Sequence, residues 1–109
     1  MTLPKEYGGE GATIEDMVIL QSYLGAIDGA TALSIGWHLS VVGQLYEQNM
    51  WEQSMLSTFA NEIVNGALVN RAVSEAETGS PTRGGRPGTH AVKEDNGYVL
   101  NGVKTFTSM

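Results

Sequence analysis

The stretch Glu62-Ile63-Val64-Asn65-Gly66-Ala67-Leu68-Val69-Asn70-Arg71-Ala72-Val73 decides the fold. Before Gly66 the apolar residues recur at helical spacing. Asn65-Gly66 is a natural helix stop, because glycine readily takes the left-handed conformation that ends a helix. After Gly66 the helical period is lost. Ala67 to Val73 reads as the start of a strand or an extended lead-in. The chain therefore predicts an α+β arrangement, with a helical half over 1–66 and a half of short strands and turns over 67–109.

Upstream of this boundary the pattern predicts three helices. Trp51, Met55, Phe59 and Ile63 lie four apart and would form one stripe on a helix from about Trp51 to Val64. Before it, Gly29 to Tyr46 carries no formal charge, and Ala32, Leu33, Ile35, Trp37, Leu39, Val41, Val42 and Leu45 cover every face. A helix apolar all round is either buried or membrane-spanning. The interruptions by Gly36, Gly43, Ser34, Ser40, His38 and Gln44 favour burial. Two flanking helices cannot cover all its sides. Further upstream, Thr13 with Asp16 predicts an N-cap with a capping box, and Ile14, Met17, Val18, Leu24 and Ile27 follow on roughly one face. Tyr7-Gly8-Gly9-Glu10-Gly11 reads as a loop.

Downstream, Thr89 to Glu94 alternates in character, Asp95-Asn96-Gly97 predicts a turn, and Tyr98-Val99-Leu100 a strand. Asn101-Gly102 is a two-residue hairpin signal, with Val103 to Thr107 as the returning strand. A few strands with an unfinished edge make a poor sheet. Both halves thus read as incomplete, and a fragment is expected.

The bulk numbers narrow the function. With 12 acidic and 6 basic residues among 109, the formal net charge is −6. That argues against nucleic acid as a partner, since phosphate binding is driven by Lys and Arg. The absence of cysteine removes disulfides, thiolate catalysis and cysteine zinc sites. His38 and His90 have no ligand-like spacing, so no metal is expected. The N-terminal stretch from Met1 to Glu6 has no apolar run, and a cytoplasmic protein without a membrane span is the default.

Candidate motifs divide into weak and interesting ones. Gly8-Gly9-Glu10-Gly11 lacks the preceding strand and the third glycine of a dinucleotide loop. His38, beside Trp37, reads as a core histidine with one hydrogen bond. Ser74 to Ser80 places hydroxyls at Ser74, Thr78 and Ser80 around Gly79 in a segment leaving an extended stretch. Such a loop can present several donors to an anion or a heterocycle edge; taken alone, a polar surface loop is the commoner explanation. Glu75 and Glu77 would point to the same side if the segment were extended. No third group is visible that would tune them, so no acid or base role follows.

The order of the pieces is more specific than any one of them. Leu3-Pro4-Lys5-Glu6-Tyr7-Gly8-Gly9, apolar helices, Val73-Ser74-Glu75 to Gly79-Ser80, and Gly97-Tyr98-Val99-Leu100-Asn101-Gly102-Val103-Lys104-Thr105-Phe106-Thr107-Ser108 stand in series. This series resembles the acyl-CoA dehydrogenase family over the whole chain. The resemblance implies the latter part of an N-terminal helical domain followed by the first strands of a middle β-barrel domain. It implies FAD as cofactor, α,β-dehydrogenation of acyl-CoA thioesters in fatty acid metabolism, an electron-transfer flavoprotein as acceptor, and a homo-oligomer. By the same resemblance Val73 and Ser74 would contact the flavin ring. Gly79 and Ser80 would lie near the pyrophosphate, with Ser80 also near the substrate. Phe106 would cover one flavin face, a contact worth about 0.5–1.5 kcal/mol beyond burial. Thr107 and Ser108 would bond near the flavin N5 edge. The family's catalytic base is a glutamate of a C-terminal bundle, and no residue of this chain takes that role.

Ala76, Glu77 and Pro81 depart from the family's usual residues at those positions. They leave the substrate class open and keep a same-fold group as an alternative, the flavin monooxygenases acting on sulfur compounds. A stand-alone acidic interaction module is a third reading.

Overall fold

A computed structural model describes residues 1–78 and 84–107. It contains three helices, α1 (Ile14–Ile27), α2 (Gly29–Gln48) and α3 (Gln53–Val64), and two antiparallel strands, β1 (His90–Glu94) and β2 (Gly97–Asn101). The described chain divides into two compact units, Met1–Asn70 and Arg71–Thr107, a little beyond the change of pattern at Gly66.

The helices of the first unit begin and end on identifiable residues. Thr13 caps α1 by accepting from the Asp16 N–H at 3.2 Å, while Asp16 accepts from the Thr13 N–H at 2.8 Å. This is the expected capping box. Asp28 alone separates α1 from α2 and serves both: its N–H donates to the Leu24 carbonyl at 2.7 Å, and its carboxylate accepts from Ala30 N–H and the Thr31 hydroxyl. The helix α2 ends on Asn49 in the left-handed region (φ 47°). At the end of α3, Gly66 adopts φ 98°, and the Gly66 and Ala67 N–H groups donate to the Ile63 and Glu62 carbonyls. The Asn65-Gly66 stop is therefore made with a left-handed glycine.

The core gathers the N-terminal segment, the second half of α2 and α3. Leu3, Val42, Tyr46, Leu56 and Ala60 are buried together, with Tyr7, Leu45, Phe59, Ile63 and Val69 packed against them. Burying a leucine fully is worth about 1.5–3 kcal/mol, so Leu3 anchors an otherwise irregular segment. The Tyr46 hydroxyl donates to the Leu56 carbonyl at 2.6 Å, and the Tyr7 ring meets Tyr46 edge-on at 4.7 Å between centroids. Gly9 must lack a side chain because a Cβ there would press into the Leu3 backbone. Gly8 caps a 3-10 turn (Lys5–Tyr7) at φ 84°. The glycines of the opening motif thus wrap the chain around Leu3.

Two helical expectations need correction. On α3 the buried stripe is Leu56 and Ala60; Trp51 and Met55, placed on the stripe by spacing, are 43% and 54% exposed. The helix starts at Gln53 after the Glu52 cap, so Trp51 lies outside it and instead meets the Phe59 ring edge at 5.4 Å. No residue of α1 is buried, and Ile14, Val18 and Ile27 all face outward. The helix α2 buries only Ala32, Leu39, Val42 and Tyr46, which agrees with the shortage of neighbours read from its composition. No helix among the described residues is long and apolar enough to cross a membrane.

In the second unit, β1 and β2 pair from His90↔Asn101 to Glu94↔Gly97, around a turn at Asp95-Asn96. The expected turn and strand are present. The Asn101-Gly102 hairpin and the returning strand at 103–107 are not. Gly102 runs beside Thr89, the residue before β1: a Cβ there would overlap Thr89, with 2.6 Å left to the Thr89 Cβ. Its glycine answers to close approach between neighbouring segments rather than to a turn. Residues 103–107 run on without regular structure, held to residues 73–75 by the Thr105 N–H and the Lys104 side chain.

Candidate functional site

The second unit is organised around a carboxylate. Glu75 is its buried charged residue, 8% exposed. Its Oε1 accepts from Lys104 Nζ at 2.6 Å and from the Thr89 N–H at 3.0 Å, and its Oε2 accepts from the Thr78 hydroxyl and the Gly88 N–H, both at 2.7 Å. A buried charge is tolerated when it is paired and its lone pairs are filled. The ammonium of Lys104 first, then the Thr78 hydroxyl and the Thr89 N–H, hold the Glu75 carboxyl far below the usual carboxylate range. The hydroxyl oxygens of Thr89 and Thr105 are buried without a hydrogen-bond partner.

Glu75 and Glu77 do not form a pair. Residues 76–78 turn, so the alternation expected of an extended segment fails, and Glu77 is exposed. The group that tunes Glu75 is Lys104, 29 residues away. No local spacing joins them; only the fold brings Gly102-Val103-Lys104 back to the 73–75 segment.

The same return joins two of the sequence-predicted site segments. The Thr105 N–H donates to the Ser74 carbonyl at 2.9 Å, and Lys104 Nζ reaches the Val73 carbonyl at 3.4 Å. Val73 and Ser74 are half-buried, whereas Phe106 and Thr107 are exposed. Phe106 is 95% exposed and sits at φ +55°. A bulky residue in the left-handed region is uncommon and costs about 1–2 kcal/mol. Gly79, Ser80 and Ser108, also predicted for the site, lie outside the described residues.

In the first unit, a cleft of about 600 Å³ opens between the N-terminal segment, the start of α1 and α2, lined by Thr2, Thr13, Met17, Leu39, Gly43 and Glu47 among others. None of the predicted site residues lines it. His38 accepts from the Val69 N–H at 3.1 Å through Nδ1, as a structural histidine would. Burial first, and then the N-terminal ammonium, push its pKa down. No cluster of metal-ligating side chains occurs among the described residues.

No family model matches the sequence. Individual relatives do. YdbM of Bacillus subtilis, whose name provisionally assigns it to the acyl-CoA dehydrogenases, is 56% identical over all 109 residues. The mitochondrial isovaleryl-CoA dehydrogenase of Arabidopsis thaliana is 32% identical over 97% of the chain, and the 3-sulfinopropanoyl-CoA desulfinase of Cupriavidus necator 28% over 95%. The chain spans 29%, 25% and 26% of the lengths of these three proteins, respectively. Identity of 56% along the whole chain, together with the ordered motifs from Pro4 to Thr107, leads to one assignment: the chain belongs to the acyl-CoA dehydrogenase family.

Proposed function

We propose that Val73, Ser74, Phe106 and Thr107 form one wall of a flavin site, with Gly79, Ser80 and Ser108 extending it. The observation that carries this reading is the pairing of two segments distant in sequence, 73–74 and 105–107, by the Thr105–Ser74 hydrogen bond, with the Phe106 ring left outside at a strained backbone angle. Strain of this kind collects at ligand sites, where the surrounding structure maintains it. The residues fit a flavin. An exposed aromatic ring suits a planar heterocycle, and the hydroxyls of Ser74 and Thr107 suit its polar edge.

The whole protein would then be an FAD-dependent dehydrogenase of acyl-CoA thioesters, with an electron-transfer flavoprotein as acceptor and subunits that self-associate. Residues 1–66 would be the latter part of its helical domain and 67–109 the start of its β-domain. Bound FAD would take up the two hydrogens lost from the α and β carbons. The residues of this chain would bind and orient it, and none serves as the base.

The sulfur alternative has one observation in its favour, the relative named as a desulfinase. By its name that protein also acts on a CoA thioester, which favours the thioester as the shared element.

Titration of FAD and FMN into the purified chain, followed by flavin fluorescence and visible circular dichroism, tests the cofactor. Saturable binding weakened by Phe106→Ala is expected. Binding indifferent to Phe106, or no induced dichroism at saturating flavin, overturns the reading.

A further inference from the structure

The flavin reading explains why Phe106 and Thr107 face outward. It does not explain how an irregular segment holds a phenylalanine at positive φ. We propose that Glu75 is a positioning residue: by gripping Lys104 it fixes 105–107 against 73–74, and so presents Phe106. This inference rests on the flavin reading for its purpose, though not for its geometry.

Three observations carry it. First, among the described residues of the Arg71–Thr107 unit the buried side chain is this carboxylate, so these segments are joined by hydrogen bonds rather than by an apolar cluster. Second, the four donors to Glu75 come from three separate stretches: Thr78 in the turn that follows it, Gly88 and Thr89 at the entry to β1, and Lys104 beyond β2. One carboxylate therefore joins every segment that flanks the site. Third, Lys104 contacts both the Glu75 carboxylate and the Val73 carbonyl, and its chain neighbour Thr105 bonds Ser74. The grip on Lys104 is thus transmitted directly to the register of 105 against 74, one residue before Phe106. Gly88 has a place in the same arrangement: a Cβ there would come within 3.3 Å of Glu75 Oε2.

A charge-assisted hydrogen bond is short and directional, which suits a register lock. Glutamine is close to isosteric with glutamate but replaces one acceptor oxygen with an NH₂ group. Since all four partners are donors, Glu75→Gln must set donor against donor on one side.

The test uses the 109-residue chain with Glu75→Gln, Lys104→Met and the conservative Lys104→Arg. Amide hydrogen exchange is read at Gly88, Thr89 and Thr105, and the intraresidue HN–Hα NOE reports the left-handed φ of Phe106. A purely local role for Glu75 would free Gly88 and Thr89 and leave Thr105 alone. Positioning predicts that Glu75→Gln also speeds exchange at Thr105, which Glu75 does not touch, by about tenfold, as expected for one lost charged hydrogen bond. Lys104→Met should do the same, Lys104→Arg should restore protection, and the Phe106 NOE should weaken with the first two. Unchanged exchange at Thr105 in Glu75→Gln overturns the inference, as does faster exchange there without weaker FAD binding in a chain that binds FAD. If the unsubstituted chain binds no flavin at all, the flavin reading and the purpose assigned to Glu75 fall together, while the Thr105 result still decides whether Glu75 sets the register.

Discussion

Replacing Leu56 by alanine tests how the helical unit is held. Leu56 is 1% exposed and lies among Leu3, Val42, Tyr46 and Ala60. Three buried carbons are removed, worth about 0.8 kcal/mol each in transfer free energy. The cavity left behind adds to this, because Leu3 arrives from an irregular segment whose backbone is fixed by the Gly9, Gly11 and Ala12 N–H bonds to Pro4, Leu3 and Met1 and cannot simply follow the void. The combined cost is about 3–5 kcal/mol, in the upper part of the range for buried leucines. Marginal stability leaves a unit of this size roughly 4–10 kcal/mol, and the outward-facing α1 argues for the lower end. Leu56→Ala is therefore expected to unfold most of the helical unit at room temperature. Urea titration followed by circular dichroism at 222 nm measures it. Leu33→Ala on α2, at a site 57% exposed, is the control and should cost less than about 1 kcal/mol. Equal losses for Leu56 and Leu33 would refute the placement of the core between the N-terminal segment, α2 and α3.

Tyr46→Phe removes the hydroxyl that donates to the Leu56 carbonyl and should cost about 1 kcal/mol in the same titration; no loss would mean the bond is not maintained in solution. Gly102→Ala forces a Cβ into Thr89 and should destabilise the strand pair by about 1–3 kcal/mol, visible as faster amide exchange across β1 and β2. Phe106→Gly relieves a left-handed phenylalanine and should stabilise the Arg71–Thr107 unit by up to about 1 kcal/mol while weakening flavin binding, whereas a loss of stability would show that the ring packs within the chain. Acid should act on the two units in different pH ranges. The folded pKa of His38 lies below its ordinary 6.5, so its contribution is complete above that value and is lost as pH falls through the folded pKa; the folded pKa of Glu75 lies far below its ordinary 4.5, so its contribution holds above 4.5 and fails only in much stronger acid. An NMR titration should therefore move the Val69 amide while those of Gly88 and Thr89 stay level down to pH 4.5, and the reverse order would contradict both assignments.

What could be read in advance follows from how local each signal is. The capping box at Thr13, the Asn65-Gly66 stop and the Asp95-Asn96 turn depend on neighbours within a few residues, and all are present. The α3 stripe was displaced because four-residue spacing gives a face but not which face meets a partner. Leu56 and Ala60 won that position because the N-terminal segment and Tyr46 approach from their side. Asn101-Gly102 has the residues of a hairpin, but its glycine serves the contact with Thr89, which no local rule anticipates. The ordered series of motifs pointed to the family; the Glu75–Lys104 pair was invisible, because its partners are joined only through the fold.

The Arg71–Thr107 unit inverts the usual sorting of side chains. Among its described residues the buried one is a carboxylate, while Tyr98, Leu100, Val103 and Phe106 are all at least 68% exposed. Hydrophobic burial cannot supply its order, and an isolated strand pair is marginal in water. Its order must come from directional bonds: the β1–β2 ladder and the four donors to Glu75. Such bonds fix register well but contribute little net stability, because water competes for every group. The unit is therefore well aligned yet easily opened, with its apolar atoms facing out. That combination suits a surface completed by something planar and apolar. It also implies that a bound flavin would add its binding energy to a unit with little of its own. Saturating FAD should accordingly slow amide exchange across 88–105 far more than across α2, and equal protection of both units would separate ligand binding from this surface.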